Sequence, residues 1–295
     1  MKTEILKDWN LNTAEIFCRT FQDAKLLKYR PGKRGLFRVK IEKTDYFVKI
    51  YPKKFLRQNR GENIHLVGKK LWDAANEGKF GFRVPTPVFW DGKTRTLWQK
   101  KLEGRPAIEF LKGKTQKDLI FQIGRSVAQI NDSGIPAQNI FDWKAQFQDS
   151  LEFASMLSGN FPVLKHRVAK LLEYLARLRP VQILVPTHGD MHVDQWLFDG
   201  ISLGLLDFED FSLAAGERDL AFFIVQAEAQ YSNLIDVKKL ERILLEGFSA
   251  AGKRADRGLL QIYKAHKWLA KAARAESADR AQVMLEKAFE GLEGR

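Results

Sequence analysis

Two aspartates on either side of a short hairpin restrict the fold of this chain more than any other feature. Asp190 and Asp207 stand seventeen positions apart, and each follows a short apolar run. Residues 196–206 are predicted to form two strands joined at positions 199–200, where Asp-Gly supplies the positive φ that a tight turn demands. We expect this hairpin to bring Gln195 and Asp207 together at its two ends, with Asp190 on the loop that enters its first strand.

Phosphoryl transfer requires the side chains that this arrangement supplies. One carboxylate orients the substrate hydroxyl and accepts its proton, while hard oxygen donors hold Mg²⁺ against the nucleotide phosphates. Asp190, the amide of Gln195 and the Asp207-Phe208 pair match the catalytic loop and metal motif of kinases in order and spacing. The sequence therefore predicts that oxygen atoms of residues 190, 195 and 207 converge on one metal ion.

Three motifs in this region resemble those of the aminoglycoside phosphotransferase and choline kinase-like superfamily. They are His188-Gly189-Asp190-x-His192-x-x-Gln195, Leu206-Asp207-Phe208-Glu209 and Gly216-Glu217-Arg218-Asp219-Leu220-Ala221, in the family's order. The resemblance implies that Asp190 is the catalytic base and that Gln195 and Asp207 bind Mg²⁺. It also implies that Asp219 anchors the catalytic loop. Most members carry Asn where this chain has Gln195, and the longer arm leaves the number of metal ions open.

Some residues of these motifs have alternative interpretations. His188 and His192 are four positions apart, which on a helix would suit a zinc pair, but Gly189 argues against a helix there. We interpret His188 as a hydrogen-bonding support of the loop. Asp219 has two equal interpretations. It anchors the catalytic loop, or it is an acidic residue that the helix dipole favours at an N-terminus. Arg218 is expected to be solvated, with a phosphate contact as the alternative.

The sequence of the N-terminal part predicts antiparallel strands, and one of them has a lysine at a kinase-like position. Strands are expected at residues 26–30, 36–41 and 45–51, with a basic, glycine-containing turn at 31–35. Lys49 lies in the third of these strands. Its position matches the kinase strand lysine that contacts the α- and β-phosphates of the nucleotide.

A helix predicted over residues 55–77 carries Glu62, the candidate partner of Lys49. In kinases, the strand lysine pairs with a helix glutamate. In a regular helix the apolar face would point away from Glu62, so the pairing requires a distorted first turn. After the next strands, the resemblance implies that main-chain groups near Lys100 and Leu102 contact the adenine edge of the nucleotide.

From residue 115 onward, apolar residues recur at three- and four-residue intervals, which predicts helices. These helices cover residues 115–132, 143–157, 163–178, 217–230, 237–251, 259–274 and 279–292, and another precedes the strands at 13–23. Together with the resemblance, the pattern predicts an α+β, bilobal protein-kinase-like fold with an antiparallel sheet in the small N-terminal lobe. We expect residues 1–101 to form the nucleotide-binding lobe and residues 102–295 a larger, mostly helical catalytic and substrate-binding lobe.

The positive charge of the chain is concentrated in the predicted N-terminal lobe. The 295 residues carry a formal net charge of +13, and residues 1–101 hold 24 Lys and Arg against 10 Asp and Glu. This excess of positive charge favours the binding of nucleotide phosphates or of an anionic small-molecule acceptor. Alternatively, it serves solubility alone. Binding of a polycationic acceptor by the second lobe stays an open alternative. Nucleic acid is not the expected partner.

The sequence has the features of a cytoplasmic protein. Cys18 is the single cysteine, so no internal disulfide framework is possible and a reducing compartment is expected. The first residues lack the apolar core of a signal peptide, and no apolar run is long enough for a transmembrane segment.

The function that these patterns predict is ATP-dependent, Mg²⁺-requiring phosphorylation of a hydroxyl on a small molecule, such as a sugar, an amino alcohol or a related metabolite. Glu209 is a candidate for an outer contact to the metal, and Asp194 and Asp210 are acidic candidates near the acceptor. The alternative is a nucleotide-binding pseudokinase or binding module, motivated by Gln195. A metal-dependent hydrolase that uses two histidines and Asp207 would instead require zinc.

Overall fold

A computed structural model describes residues 24–30, 34–53, 59–111, 113, 116–178, 180–290 and 292. The chain divides into two compact units. The first comprises Met1–Arg105 and Leu197–Glu209, and the second comprises Pro106–Trp196 and Asp210–Arg295. The predicted helix at 13–23 and residues 31–33 of the predicted turn lie outside the described residues.

Strands and helices are numbered in chain order within the described residues. The strands are β1 (Ala24–Arg30), β2 (Arg34–Ile41), β3 (Thr44–Ile50), β4 (Phe82–Arg83), β5 (Pro87–Asp91), β6 (Thr96–Lys100), β7 (Arg105–Pro106), β8 (Asn139–Phe141), β9 (Leu184–Thr187), β10 (Trp196–Phe198), β11 (Leu203–Leu205) and β12 (Ser212–Ala215). The helices are α1 (Arg60–Asn76), α2 (Gln116–Asn131), α3 (Trp143–Asn160), α4 (Lys165–Arg177), α5 (Glu217–Tyr231), α6 (Val237–Ala250), α7 (Arg257–Ala272) and α8 (Ala278–Phe289).

The first unit is built on a five-stranded antiparallel sheet in the order β1-β2-β3-β6-β5. Side chains alternate along β2, so that Phe37 and Val39 are buried while Arg38 and Lys40 are exposed. The buried residues pack with Val48, Ile50 and Trp98 into one apolar cluster. The sheet therefore holds β3, the strand of Lys49, in a fixed register between β2 and β6.

The hairpin between the two aspartates forms as predicted, with strands β10 and β11. Asp199 closes its turn by accepting the main-chain N–H groups of Ile201 and Ser202 at 2.9 and 2.8 Å, and Gly200 has φ +102°. Strand β11 pairs in parallel with β4, a strand that the sequence pattern did not predict. Because Leu203 and Leu205 are fully buried, the residue after this strand is placed by a rigid support.

The second unit combines a small sheet with the remaining helices. Strand β12 pairs in parallel with β8 and antiparallel with β9, with Ser212 opposite Thr187. Helices α3, α4, α5, α7 and α8 share one large apolar cluster that includes Leu157, Leu171, Val225 and Leu269. Acceptors at helix starts satisfy first-turn N–H groups, as Asp142 does for Ala145 at 2.9 Å.

Most predicted helices lie within a few residues of the observed ones. The largest difference concerns the helix predicted at 55–77. The observed helix begins at Arg60, because Asn59 before it has a left-handed main chain with φ +52°, and residues 54–58 lie outside the described residues. Strands β8 and β12 were missed because segments of three and four residues carry no recognisable alternation. No helix of the described residues combines the length and the apolar character needed to cross a bilayer.

Candidate functional site

Lys49 is the centre of a buried charge cluster in the first unit. Lys49 lies on β3 opposite Leu36, and its side chain is nearly buried. Its Nζ atom donates to Oδ1 of Asp207 at 2.7 Å and to Oε1 of Glu209 at 2.8 Å. Tyr51, two residues further along the chain, donates its hydroxyl to the same Oε1 atom at 2.6 Å. The cluster thus joins the third strand to the segment that follows the hairpin.

Arg34 adds a second positive charge to this cluster. Its Nη2 atom lies 2.6 Å from Oδ2 of Asp207, and its Nη1 atom contacts Oε2 of Glu209. Burial alone would raise the pKa of Asp207, but Lys49 and Arg34 outweigh it and hold the pKa of Asp207 well below its usual range. Asp207 is therefore ionised and carries the hard oxygen atoms that Mg²⁺ prefers.

The main chain at Asp207 has an uncommon conformation. Its φ of +68° lies in the left-handed region, which residues other than glycine adopt at a cost. Buried neighbours hold this conformation, with Leu205 fully buried before it and Phe208 nearly buried after it. Strained conformations of this kind cluster at functional sites, where they fix the direction of a side chain.

Glu62 is not the partner of Lys49 within the described residues. It lies in the first turn of α1, is exposed, and makes no ion pair there. Gly61 and Ile64 are the buried positions of this turn, and an added Cβ at Gly61 would lie 2.2 Å from the Trp90 ring. The helix therefore turns Glu62 outward, as its apolar pattern indicated, and the carboxylates beside Lys49 come from the segment after the hairpin. A contact of Glu62 with a cofactor stays a prediction.

The two residues predicted to flank the adenine have different main-chain environments. Lys100 ends β6, and its N–H donates to the carbonyl of Thr86 at 2.9 Å. Leu102 is buried, and its side chain lies so close to Gly204 that a Cβ there would be 2.6 Å from Cδ2 of Leu102. No hydrogen bond to a described residue occupies the main-chain N–H or C=O of Leu102. Leu102 is thus the position with free main-chain groups.

The loop that carries Asp190 is fixed from the first turn of α5 in the second unit. Asp219 accepts the N–H of His188 at 2.7 Å and the N–H of Gly189 at 2.9 Å. Arg218 donates from Nη1 to the carbonyl of Gly189 at 2.7 Å. Asp219 is fully buried, and burial raises its pKa although His188 and Arg218 oppose the rise. Three hydrogen bonds between the loop main chain and the adjacent side chains of Arg218 and Asp219 therefore fix the path of the loop.

Position 189 requires glycine, because the main chain there has a positive φ and another segment leaves no room for a side chain. Its φ is +87°, and a Cβ atom would lie 1.9 Å from the main-chain oxygen of Asp210. The loop and the start of the segment after Glu209 therefore cross in direct contact. Any larger residue would move the loop that carries Asp190.

Arg218 differs from the solvated residue that the sequence indicated. It is 7% exposed, and its guanidinium lies 4.4 Å from the ring centre of Phe141 and 4.5 Å from that of Phe222. Burial lowers its pKa, which the charge of Asp219 partly offsets. Planar guanidinium groups stack on aromatic rings, and this stacking makes burial at the loop possible. Arg218 supports the loop from behind.

Asp190 is a partly exposed carboxylate of the second unit. Its side chain is 42% exposed, with Nζ of Lys267 at 3.4 Å from Oδ1 and Nε2 of His192 at 3.7 Å from Oδ2. Burial pushes the pKa of Asp190 upward, but Lys267, His192 and His188 outweigh it and hold the pKa below the usual value. Asp190 is therefore ionised near neutral pH, as a proton acceptor must be.

Gln195 ends the 3₁₀ turn Val193–Gln195 and offers an oxygen for a metal ion. Its Nε2 atom lies 3.1 Å from Nε2 of His192, whose pKa is lowered by burial, so the ring is neutral near pH 7. Its Oε1 atom makes no hydrogen bond with a described residue and is not sealed from solvent. An amide oxygen here and the ionised Asp207 fit the donor chemistry of Mg²⁺.

The zinc interpretation finds no support among the described residues. No group of three or more His, Cys, Asp or Glu side chains there has the arrangement of a metal site. His188 sits in the loop with its Nδ1 atom 3.4 Å from the N–H of Asp190, and His192 contacts Gln195 instead of a second histidine.

Two residues of these clusters escaped the sequence patterns. Arg34 was assigned only to a basic turn, although it begins β2 and contacts Asp207. Lys267 lies within an apolar helix, between the buried His266 and Trp268. A lysine flanked by buried positions in a helix is the one local signal that could have marked it.

Comparisons with known proteins place the chain in a family. Residues 34–260 match the phosphotransferase enzyme family. A comparison with curated protein sequences returned no significant match.

The solved structures similar to this chain include several kinases. Choline kinase LicA from Streptococcus pneumoniae has a TM-score of 0.64 at 15% identity, over 95% of this chain and 98% of its own. Amicoumacin kinase hAmiN, in complex with AMP-PNP, Ca²⁺ and Ami, has a TM-score of 0.66 at 13% identity, over 99% and 96%. A streptomycin-ATP-APH(2")-IIa ternary complex has a TM-score of 0.60 at 12% identity, over 96% and 97%.

At these identities the structural likeness concerns the fold, and it confirms the predicted α+β, protein-kinase-like class. The family match is independent of that likeness and spans most of the sequence. The protein therefore belongs to the phosphotransferase enzyme family.

Proposed function

We propose that this protein is an ATP-dependent kinase that phosphorylates a hydroxyl group of a small molecule. The observation that carries the proposal is the pairing of Lys49 with ionised Asp207 directly after the hairpin, in a chain that belongs to the phosphotransferase enzyme family. A strand lysine and a metal-binding aspartate are the pair that positions and neutralises nucleotide phosphates in kinases.

In this proposal the first unit binds the nucleotide. Lys49 neutralises the α- and β-phosphates, and Arg34 is a second cation available to them. The free main-chain groups of Leu102, two residues after Lys100, bond the adenine edge. The proposed N-terminal lobe comprises residues 1–101, and Leu197–Glu209, which contains most of the hairpin and the segment after it, belongs to the same compact unit.

Asp207 and Gln195 are the proposed ligands of Mg²⁺. When held there, the ion would neutralise charge on the phosphate oxygens. Support for ATP and a divalent ion also comes from similar structures that were solved with ATP, or with AMP-PNP and Ca²⁺.

Asp190 is the proposed catalytic base. It accepts the proton of the acceptor hydroxyl while the hydroxyl oxygen forms a bond to the γ-phosphorus, and the bond between that phosphorus and the β–γ bridging oxygen breaks to release ADP. Lys267 keeps the carboxylate ionised, and Asp219 with Arg218 holds its loop. The proposed acceptor is a sugar, an amino alcohol or a related metabolite, and the single cysteine leads us to propose a cytoplasmic location.

A second candidate is a nucleotide-binding module that transfers no phosphate. One observation favours it, since both carboxylate oxygens of Asp207 are already bonded to Lys49 and Arg34. A metal ion must compete with these cations. The module would bind ATP with saturation but show neither transfer to an acceptor nor metal-dependent ATP turnover.

A metabolite-library screen for Mg²⁺-dependent ATP consumption distinguishes the two. A kinase consumes ATP with at least one acceptor, and the Asp190→Ala protein, assayed beside it, consumes none. ATP binding without consumption across the library, in a protein that retains its fold, would establish the binding module instead.

A further inference from the structure

Three lysines form a stripe along α7, the helix that contacts Asp190, and Arg274 follows two residues beyond the end of this helix. Lys264, Lys267 and Lys271 are spaced by three and four positions, which places them on one face of α7. Lys267 lies 3.4 Å from Oδ1 of Asp190 and 4.0 Å from the ring centre of Phe222. The stripe therefore passes directly beside the proposed base.

Lys271 differs from the other lysines of this region because it has no acidic partner among the described residues. Lys264 bonds to Glu241 at 2.9 Å, and Lys287 on α8 contacts Glu228 at 2.6 Å. The ammonium of Lys271 makes no hydrogen bond or ion pair with a described residue, although the side chain is half-buried. A half-buried ammonium without a partner is costly unless a ligand or water supplies one.

Charged residues of both signs surround the ammonium of Lys271. Lys267 on the same helix and Arg274 just after its end add positive charge, and Asp190 and Asp194 add negative charge from the loop. Asp194 already accepts the hydroxyl of Tyr231 at 2.5 Å. On α3, burial raises the pKa of Asp149, and the charges of Arg218 and Arg274 oppose this rise.

We propose that Lys267 and Lys271 form a subsite that binds an anionic group of the acceptor, a phosphomonoester or a carboxylate, beside Asp190. This inference rests on the proposed kinase function and narrows its acceptor to hydroxyl compounds that carry a negative charge. A phosphate or carboxylate bound here gains two charge-assisted contacts and places a hydroxyl of the same molecule next to the base. A polycation would meet like charges at both lysines instead.

The electrostatics of Lys271 agree with this assignment. Burial, followed by the charges of Lys267 and Arg274, lowers its pKa to about 8. The ammonium is thus mostly charged near pH 7, and a bound anion would stabilise this charge.

The test compares acceptors that differ in charge. Matched hydroxyl compounds, namely sugars and their monophosphates, hydroxy acids, amino alcohols and aminoglycosides, are assayed for Mg²⁺-dependent ADP release with wild type and three variants. Lys271→Gln should raise the KM of an anionic acceptor about tenfold or more, the scale of one contact to a charged group, and should change kcat less. Lys271→Arg should restore KM, and Lys264→Gln is the matched control on the same helix, whose lysine is paired with Glu241.

A neutral or cationic acceptor that is used better than every anionic one, with activity that depends on Asp190, overturns the subsite and leaves the kinase proposal intact. Equal effects of Lys271→Gln and Lys264→Gln on KM also overturn it.

A binding experiment decides if no compound of the panel is phosphorylated. Inorganic phosphate is titrated by calorimetry into wild type and Lys271→Gln, with AMP-PNP present to fill the nucleotide site. Binding that weakens about tenfold in the variant supports the subsite, on the same scale for one charged contact, and equal binding overturns it. Failure to bind AMP-PNP would overturn the kinase proposal and the nucleotide-binding module alike, and it is read separately from the phosphate titration.

Discussion

The Nζ atom of Lys49 lies 2.7 Å from Oδ1 of Asp207, although the two residues are 158 positions apart in the chain. Three elements produce this contact, namely the register of β3, the buried strand β11 and the left-handed conformation at Asp207. The contact joins the residue proposed to neutralise phosphates to the residue proposed to bind the metal. The positive charge of Lys49 offsets the negative charge of the ionised Asp207.

Replacement of Lys49 tests the nucleotide role of this pair. Lys49→Met keeps the length of the side chain but removes the charge, and kcat/KM for ATP should fall about 10²- to 10³-fold, the scale for loss of one positioned charge. Lys40→Met, on the exposed face of the neighbouring strand β2, is the control and should leave kcat/KM near the wild-type value. Steady-state kinetics at saturating acceptor measure both, and equal values in the two variants contradict the role of Lys49.

Substitution of Gly189 tests the crossing of the catalytic loop with the segment at Asp210. Gly189→Ala meets both a positive φ and the main-chain oxygen of Asp210, whereas Gly134→Ala meets a positive φ of +64° in open space. The control should therefore lose about 1–2 kcal/mol of unfolding free energy, and Gly189→Ala should lose more. Urea denaturation of both variants gives the comparison, and a Gly189→Ala protein as stable as the control would show that the crossing is not rigid.

The pH dependence of the reaction tests the effect of Lys267 on Asp190. The pKa of Asp190 is held below its usual value, so the carboxylate acts as a base above that pKa and loses activity as the pH falls through it. Lys267→Met removes the largest opposing charge, so the pKa of Asp190 should rise and the acidic limb of kcat/KM should move to higher pH. Profiles of wild type and variant, with stability checked at each pH, measure the shift; a limb that stays in place argues against Asp190 as the titrating base.

Much of the fold could be predicted from local pattern. Helices α2 to α8 follow from apolar periodicity, and the hairpin follows from the Asp-Gly turn between apolar runs. The motif around Asp190 and the position of Asp219 were also visible in the sequence. These features depend on near neighbours along the chain, where spacing alone carries the information.

The partners of the site residues depend instead on contacts between distant segments. Lys49 pairs with Asp207 and Glu209, not with Glu62, because α1 buries Gly61 and turns Glu62 outward. Lys267 sits 77 positions from Asp190, and nothing in its local sequence indicates that contact. Such pairings follow from how the elements pack, which periodicity does not specify.

Transfer of the γ-phosphoryl group from labelled ATP to an acceptor, compared between wild type and Asp190→Asn, tests the central claim most directly. The substitution keeps the size of the side chain and removes the proton acceptor. We predict that transfer falls about 10²- to 10⁴-fold, the range for loss of a general base, while ATP binding and the unfolding transition stay as in wild type. Transfer by Asp190→Asn at the wild-type rate would contradict the account.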